Sequence, residues 1–406
     1  MKILLVDLFN TQNYFYLLTK FLRKKGVEAD MLLAPNIQLA DHPFWHDPFI
    51  KDLSNYPSWI KWREFPYHLF ENPMKNLKRE LEVIKFVKNY DLIVCSGVVP
   101  IFIQWAKVPF IFISLGSDLD QVPLYGWSGD SKNFIALSND KKIKYFFMKH
   151  LMRRGLKRAK AVALFPHQIE TAERLGLKML KFLPQVLDTE LFKSMEDEQR
   201  KEEKKRLKKE LDCEMIFFQA TRQVWTDKRK EKSFTDCKGN DKVFKAFAKF
   251  LKVTNKKTKL IIIEKGWDVE ESKILIDELG IADYVIWEKP MEKEKLTWYY
   301  NVADMVFDQF EIGMLSYSAI EPMACGTPVF SYVKSVPDGF FYSEMPPIIN
   351  VDTEEGIFNG LCELTEDDNK RDEVGRNCLE WIRKYCSWEK GVEKHLELYK
   401  EVVNKR

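Results

Sequence analysis

The stretch Asp308–Val333, DQFEIGMLSYSAIEPMACGTPVFSYV, constrains the fold more than any other. An apolar run at Ala303–Phe307 precedes it, and a polar loop containing Gly313 opens it. A short helix then carries Glu321, and Gly326-Thr327-Pro328 leads into a second apolar run. That succession predicts one βαβ step of a parallel sheet. In such sheets ligands gather at the carboxyl ends of the strands, where loop N–H groups and the next helix N-terminus offer positive charge. Glu321 is of the type that accepts hydrogen bonds from ribose hydroxyls in dinucleotide folds, and Gly313 lets the backbone approach a ligand closely. Pro322 is tolerated in a first helical turn, so the helix is predicted to begin near Glu321.

The same alternation runs through the chain. Strands are predicted at Lys2–Val6, Val27–Leu33, Leu92–Cys95, Pro109–Ser114 and Ala161–Phe165, then at Glu214–Gln219, Lys259–Ile263 and Tyr284–Trp287, with helical spacing between them. Residues 36–73 are an aromatic excursion with Trp45, Trp59, Trp62, Phe65 and Tyr67, either a lid, a membrane-facing flap or a buried patch beneath a long loop. Glu196–Leu211 alternates in charge and reads as a solvated linker helix. With 406 residues the chain predicts two domains. Their bounds are 1–188 and 213–387, with a linker at 189–212 and a terminal helix at 388–406 that packs towards the first domain.

Sixty-four basic against 61 acidic residues leave only +3, which argues against a nucleic-acid partner. The seven cysteines form no CxxC pair and read as reduced thiols of a cytoplasmic protein. Asp7 interrupts the opening apolar run before a signal peptide could form, and Pro100, Gln104, Lys107 and Pro109 break up residues 98–116, so no membrane span is expected. Lys141–Lys160 carries nine Lys/Arg and no acid, interleaved with Ile143, Phe146, Phe147, Leu151 and Leu156. Such a helix either lies on an anionic membrane, on the inner face, or packs its apolar stripe on the sheet with its cations solvated.

The run IEPMACGTPV resembles the LEAMACGxPV signature of retaining, nucleotide-sugar-dependent glycosyltransferases of the GT-B fold, in the large family four. The resemblance implies two Rossmann-like domains with parallel sheets facing an interdomain cleft and a C-terminal helix crossing back. Gly313 stands where that family commonly has a first glutamate that reads the donor sugar. Asp308, Gln309, Gly313 and Glu321 match a branch reading DQ..IG......IE.MA.G.PV, which makes Asp308 and Gln309 cleft candidates and Gly313, Met314, Leu315 and Glu321 donor-binding ones. By the same likeness, Arg222 after one strand and Lys238 in a KG turn grip the donor diphosphate as catalytic residues, with Lys228, Arg229, Lys230 and Lys232 as rivals. A guanidinium and an ammonium stabilise the charge left on phosphate without a metal or cofactor.

Trp287 and Glu288 fall where relatives read the base. Leu115-Gly116-Ser117-Asp118 is similar to their HGSD turn, with leucine replacing the histidine, so Gly116, Ser117 and Asp118 join Asn10 and Asn13 as acceptor-side candidates. For Asn10 and Asn13, simple helix capping is an equal reading. KFLPQVLDTELF resembles the family's crossover between domains, and YCSWEKGVEKHLELY its terminal helix. The implied function is a retaining transfer of sugar from a nucleotide-diphosphate sugar to a glycan or lipid-linked acceptor. Two alternatives stand: a catalytically silent subunit that binds nucleotide sugar or a partner enzyme, and an epimerase, whose SGG phosphate loop is missing at Gly313-Met314-Leu315-Ser316.

Overall fold

The computed structural model describes residues 1–10, 13–35, 42–43, 47, 50, 56–65, 73–126, 135–227, 237–335 and 340–405. The chain forms two compact units, Met1–Val186 with Pro337–Phe341 and Trp388–Arg406, and Leu187–Val336 with Tyr342–Ser387.

Unit 1 is a seven-stranded sheet of β1 (Lys2–Val6), β2 (Glu28–Leu33), β3 (Ile60–Trp62), β4 (Leu92–Cys95), β5 (Phe110–Ile113), β6 (Ala161–Ala163) and β7 (Leu180–Lys181). Every pair is parallel, in the order β3-β2-β1-β4-β5-β6-β7. Its central strands read LIVC and FIFI, with no polar alternation, because helices cover both faces of a parallel sheet. These helices are α1 (Tyr14–Lys24), α2 (Pro73–Val87), α3 (Pro100–Ile103), α4 (Ser117–Asp120), α5 (Val122–Tyr125), α6 (Asn139–Arg158) and α7 (Ile169–Arg174).

The basic helix α6 packs through Met148, Met152, Gly155 and Leu156, whereas Ile143, Phe146 and Phe147 are exposed. Its glycine has a packing reason: a Cβ on Gly155 would lie 2.5 Å from the Pro100 carbonyl oxygen. Of the aromatic excursion, Phe65 is buried and Trp59 stacks on Tyr16 at 5.5 Å, while Trp45 and Tyr67 lie outside the described residues.

Unit 2 holds α8 (Asp197–Glu210), β8 (Met215–Gln219), α9 (Asn240–Phe250), β9 (Thr258–Ile263), α10 (Val269–Glu278), β10 (Val285–Glu288), α11 (Lys293–Val302), β11 (Met305–Phe307), α12 (Tyr317–Ala324), β12 (Val329–Ser331), β13 (Ile349–Asn350), α13 (Glu354–Glu366) and α14 (Asp368–Tyr385). Its strands pair in parallel in the order β10-β9-β8-β11-β12-β13. Phe217, Phe244, Phe247, Phe250 and Phe307 anchor the core on one face of this sheet.

Two expectations are corrected here. Helix α8 is no solvated linker: Arg200 donates to the Asn301 carbonyl (2.8 Å) and Thr327 Oγ1 (2.9 Å). Lys204 and Lys208 also reach Asp304 at 3.0 and 2.9 Å. Burial alone would push Asp304 upward, but the two ammoniums and the Ile216 N–H hold it below the usual carboxylate range. Nor does α12 begin at Glu321. It starts at Tyr317 and contains Pro322 inside it, which forfeits the hydrogen bond that residue 322 would give to Ser318. The early start is fixed by Ser316 and Ser318, whose hydroxyls both donate to Asp308 at 2.8 Å.

The last helix, α15 (Trp388–Asn404), belongs to unit 1 and packs on α1. Trp388 stacks on Phe21 at 4.8 Å. His395 is buried between Tyr14 Oη (2.8 Å) and Tyr399 Oη (3.1 Å), and burial lowers its pKa to about 4.

Candidate active site

The unit 2 sheet reverses direction of growth between β8 and β11, and three segments meet at the carboxyl ends of these two strands. Thr221 Oγ1, just after β8, donates to the Asp308 carbonyl, just after β11, at 3.1 Å. The Lys238 N–H donates to the Val224 carbonyl (2.6 Å) and its carbonyl accepts from the Phe310 N–H (2.8 Å). Asn240, the first residue of α9, accepts the Val224 N–H at 3.1 Å. Gly239 takes the left-handed conformation (φ 70°) with Phe310 and Glu311 against it, which lets the Lys238 turn close over the β11 loop. Arg222 is exposed beside these contacts, and Lys238, two residues before α9, is half-buried. Lys228, Arg229, Lys230 and Lys232 lie outside the described residues.

Asp308 and Gln309 hold the loop from within. Asp308, fully buried, accepts from Ser316, Ser318 and Ser331. Burial raises its pKa against the pull of these hydroxyls and of the Lys238 charge. Gln309 donates to the Met314 and Tyr332 carbonyls (2.7 and 2.8 Å) and accepts from the Ile312 N–H. Gly313 has φ 75°, and a Cβ there would lie 2.7 Å from Lys334 Cγ. Met314 and Leu315 are half-buried on the same loop.

Glu321, 4 % exposed, points from α12 to α11, where Lys293 Nζ reaches one carboxylate oxygen at 2.5 Å and Tyr300 Oη the other at 3.2 Å. Lys293 was not legible as part of this site, because nothing in its sequence neighbourhood distinguishes it from other surface lysines. Trp287 and Glu288 lie on β10, the edge strand two places from β8. Trp287 leans on the core, and Glu288 accepts from Tyr299 (2.9 Å) and Lys295 (3.0 Å).

The acceptor-side candidates are all in unit 1. Asn10 and Asn13 are buried in left-handed conformations, and Asn10 donates its amide to Asn13 at 2.9 Å. Asn13 caps α1 by position without a side-chain bond to the helix. Gly116 and Ser117 form the turn after β5, and Asp118 ties that turn together. It accepts from Ser114 Oγ (2.8 Å), Leu115 N–H (3.1 Å), Gly116 N–H (3.1 Å) and Gly97 N–H (3.0 Å). Burial nonetheless pushes its carboxyl up to about 7.

Two doubly wound parallel-sheet units of this kind define a GT-B protein. The likeness to solved structures spans nearly the whole chain. Sucrose-phosphate synthase from Thermosynechococcus elongatus matches with a TM-score of 0.65 at 17% identity over 100% of both chains. Anabaena HepE in complex with UDP-glucose matches with 0.65 at 14% identity over 99% of this chain and 100% of that one. The lipopolysaccharide-biosynthesis glycosyltransferase WaaG matches with 0.59 at 13% over 96% and 98%. In sequence, an uncharacterized glycosyltransferase of Methanocaldococcus jannaschii is 24% identical over 169 residues, 41% of this chain and 43% of that protein's length. Residues 232–379 match the family described as glycosyl transferases group 1, and nearly all of that stretch lies in unit 2.

Proposed function

We propose that this protein is a retaining glycosyltransferase whose unit 2 holds a nucleotide-diphosphate sugar and whose unit 1 binds the hydroxyl acceptor. The convergence of the Arg222, Lys238 and Asp308–Ser316 segments at one sheet end carries this reading. Arg222 and Lys238 meet the diphosphate, and the Gly313–Leu315 backbone lines the donor sugar. Glu321 takes the ribose hydroxyls, with Lys293 holding its carboxylate in place, while the Trp287–Glu288 end of β10 faces the base. The two cations rather than a metal ion answer the charge left on phosphate. The nucleotide sugar bound by the Anabaena relative supports this donor class.

Calorimetric titration with UDP-, GDP-, ADP- and TDP-sugars tests the proposal. One of them is expected to bind, and Glu321→Ala to weaken it by about 1–3 kcal/mol, the cost of leaving buried polar groups unpaired. No binding across the panel ends the transferase reading, whereas unchanged affinity in the variant removes only Glu321 from it.

Peripheral membrane attachment through α6 completes the proposal. Ile143, Phe146 and Phe147 are 59%, 48% and 48% exposed on a helix crowded with lysine and arginine, more apolar surface than a helix packed for stability alone leaves in water. Among the described residues no helix is long and apolar enough to cross a bilayer. Co-sedimentation with vesicles should require anionic lipid and weaken as salt rises. Equal binding to neutral vesicles, or none to either, would remove the membrane from the function.

A further inference from the structure

We propose that Asp268 is a positioning residue for the transfer step: its carboxylate holds the segment that carries Arg222, so that the guanidinium is aimed before the donor phosphate arrives. That role in transfer rests on the transferase reading. The hold on the segment does not.

Strands β8 and β9 end at Gln219 and Ile263, but their pairing runs on. Gln219 stands opposite Ile262, and four residues later Gln223 bridges Gly266 in the same register. Continued two residues further, that register sets Asp268 opposite Trp225, whose N–H it accepts. Arg222 therefore sits on a prolongation of the sheet edge. It is an exposed residue in a buried run, with Thr221 before it and Gln223 and Val224 after it all buried.

One side chain ties the far end of this prolongation. Asp268 Oδ2 accepts from the Trp225 N–H (2.8 Å), the Thr226 N–H (3.0 Å) and Thr226 Oγ1 (3.2 Å). Two successive N–H groups on one oxygen form a small anion nest, filled here by the protein's own carboxylate. Ser272, on the next turn of α10, accepts from Trp225 Nε1 at 2.8 Å and lies 3.2 Å from Gln223 Oε1, to which it can donate. Gln223 in turn donates its amide to the Thr221 carbonyl at 3.3 Å. Both neighbours of Arg222 are thus reached from the head of α10.

A bond that Asp268 does not make shows what it is for. It is the N-cap residue of α10, where an aspartate ordinarily accepts the helix's own first N–H groups, yet its side chain makes no capping bond. The carboxylate is 1% exposed and turned to residues 225 and 226 instead. An aspartate serving α10 alone would point the other way. The segment gains by it, because a group that answers charge in the transition state must be in place beforehand, and a misplacement of about 1 Å lowers the rate roughly a hundredfold.

Asp268→Ser and Asp268→Asn in the full chain test this. Serine caps a helix about as well as aspartate, but it is one bond shorter and cannot gather three donors from residues 225 and 226. Asparagine keeps a carbonyl oxygen where Oδ2 stands. Two things are read on each variant: amide hydrogen exchange, and hydrolysis, without added acceptor, of the nucleotide sugar that titration of the wild type selects. Asp268→Ser is expected to speed exchange at Trp225 and Thr226 by about tenfold or more, with α10 as protected as before. It should lower hydrolysis about tenfold to a hundredfold, while affinity for the nucleotide sugar changes by less than about threefold. Asp268→Asn should restore most of both. In an Arg222→Ala background, Asp268→Ser should lower hydrolysis by no more than about twofold further, because the group it aims is gone. Native hydrolysis by Asp268→Ser, an undiminished loss in the Arg222→Ala background, or exchange that rises in α10 instead overturns the inference. Any of these beside a wild type that binds and hydrolyses its nucleotide sugar leaves the transferase reading standing. A wild type that hydrolyses none sinks that reading and the role in transfer with it, and the exchange result then speaks for the hold alone.

Discussion

Arg222→Ala is expected to lower turnover by about 10²–10³-fold, the loss usual for one donor to a developing oxyanion, while affinity for the free nucleotide diphosphate falls far less. When the bond from sugar to phosphate breaks, negative charge accumulates on the departing oxygen. A guanidinium meets it more strongly in the transition state than in the bound donor, so its removal acts on kcat. Steady-state kinetics and nucleotide titration of the same variant separate the two. Equal losses in turnover and binding would make Arg222 a positioning group, and retention of full turnover would strike it from the mechanism.

The second large effect comes from a residue with no chemistry. Gly266 has φ 130°, and a Cβ on it would lie 2.3 Å from the Gln223 carbonyl oxygen and 2.5 Å from its nitrogen. Both are backbone atoms with nowhere to move. The Gln223 N–H donates to the Lys265 carbonyl at 2.7 Å, and the Gln223 carbonyl accepts from the Asp268 N–H at 3.0 Å. Gly266→Ala must therefore lift the segment from Thr221 to Val224 off its seat, carrying Arg222 with it and loosening Lys238, which hangs on the Val224 carbonyl. We expect a stability loss of about 1–3 kcal/mol, as forced overpacking brings, and a fall in turnover of roughly 10²-fold from displacement alone. Denaturant unfolding and kinetics check both. Native stability together with native turnover would show that the latch at Gln223 does not position the site.

Both predictions concern contacts that periodicity cannot announce. The strands were readable because runs such as Leu92–Cys95 and Phe110–Ile113 are apolar without alternation, a pattern that only a sheet covered on both faces produces. The order of helices and strands followed from Gly, Pro and polar residues between the runs. The start of α12 was not readable, since Pro322 argues for a first turn, and only the long-range bonds from Ser316 and Ser318 to Asp308 extend the helix beyond it. Charge alternation misled over α8 for a related reason: Lys204 and Lys208 serve a buried acid, Asp304, about a hundred positions away, and Arg200 serves Asn301 and Thr327 at a similar distance in sequence.

For the site, Arg222 and Lys238 are named only through the family resemblance, and the structure brings their segments together with the Asp308 loop. Lys293, which meets the Glu321 carboxylate, drew no notice at all.

The membership of α15 has a consequence for how the molecule is made. Unit 1 draws on Met1–Val186 and on Trp388–Arg406, so all of unit 2 is synthesised before the piece that covers Phe21 and Tyr14 exists. A ribosome releasing the chain in order thus presents a first lobe without its last helix, with Phe21 and Tyr14 uncovered, for the time needed to make some two hundred more residues. Expression of the front segment by itself should accordingly give material prone to association, and supplying the helix as a separate peptide should restore it.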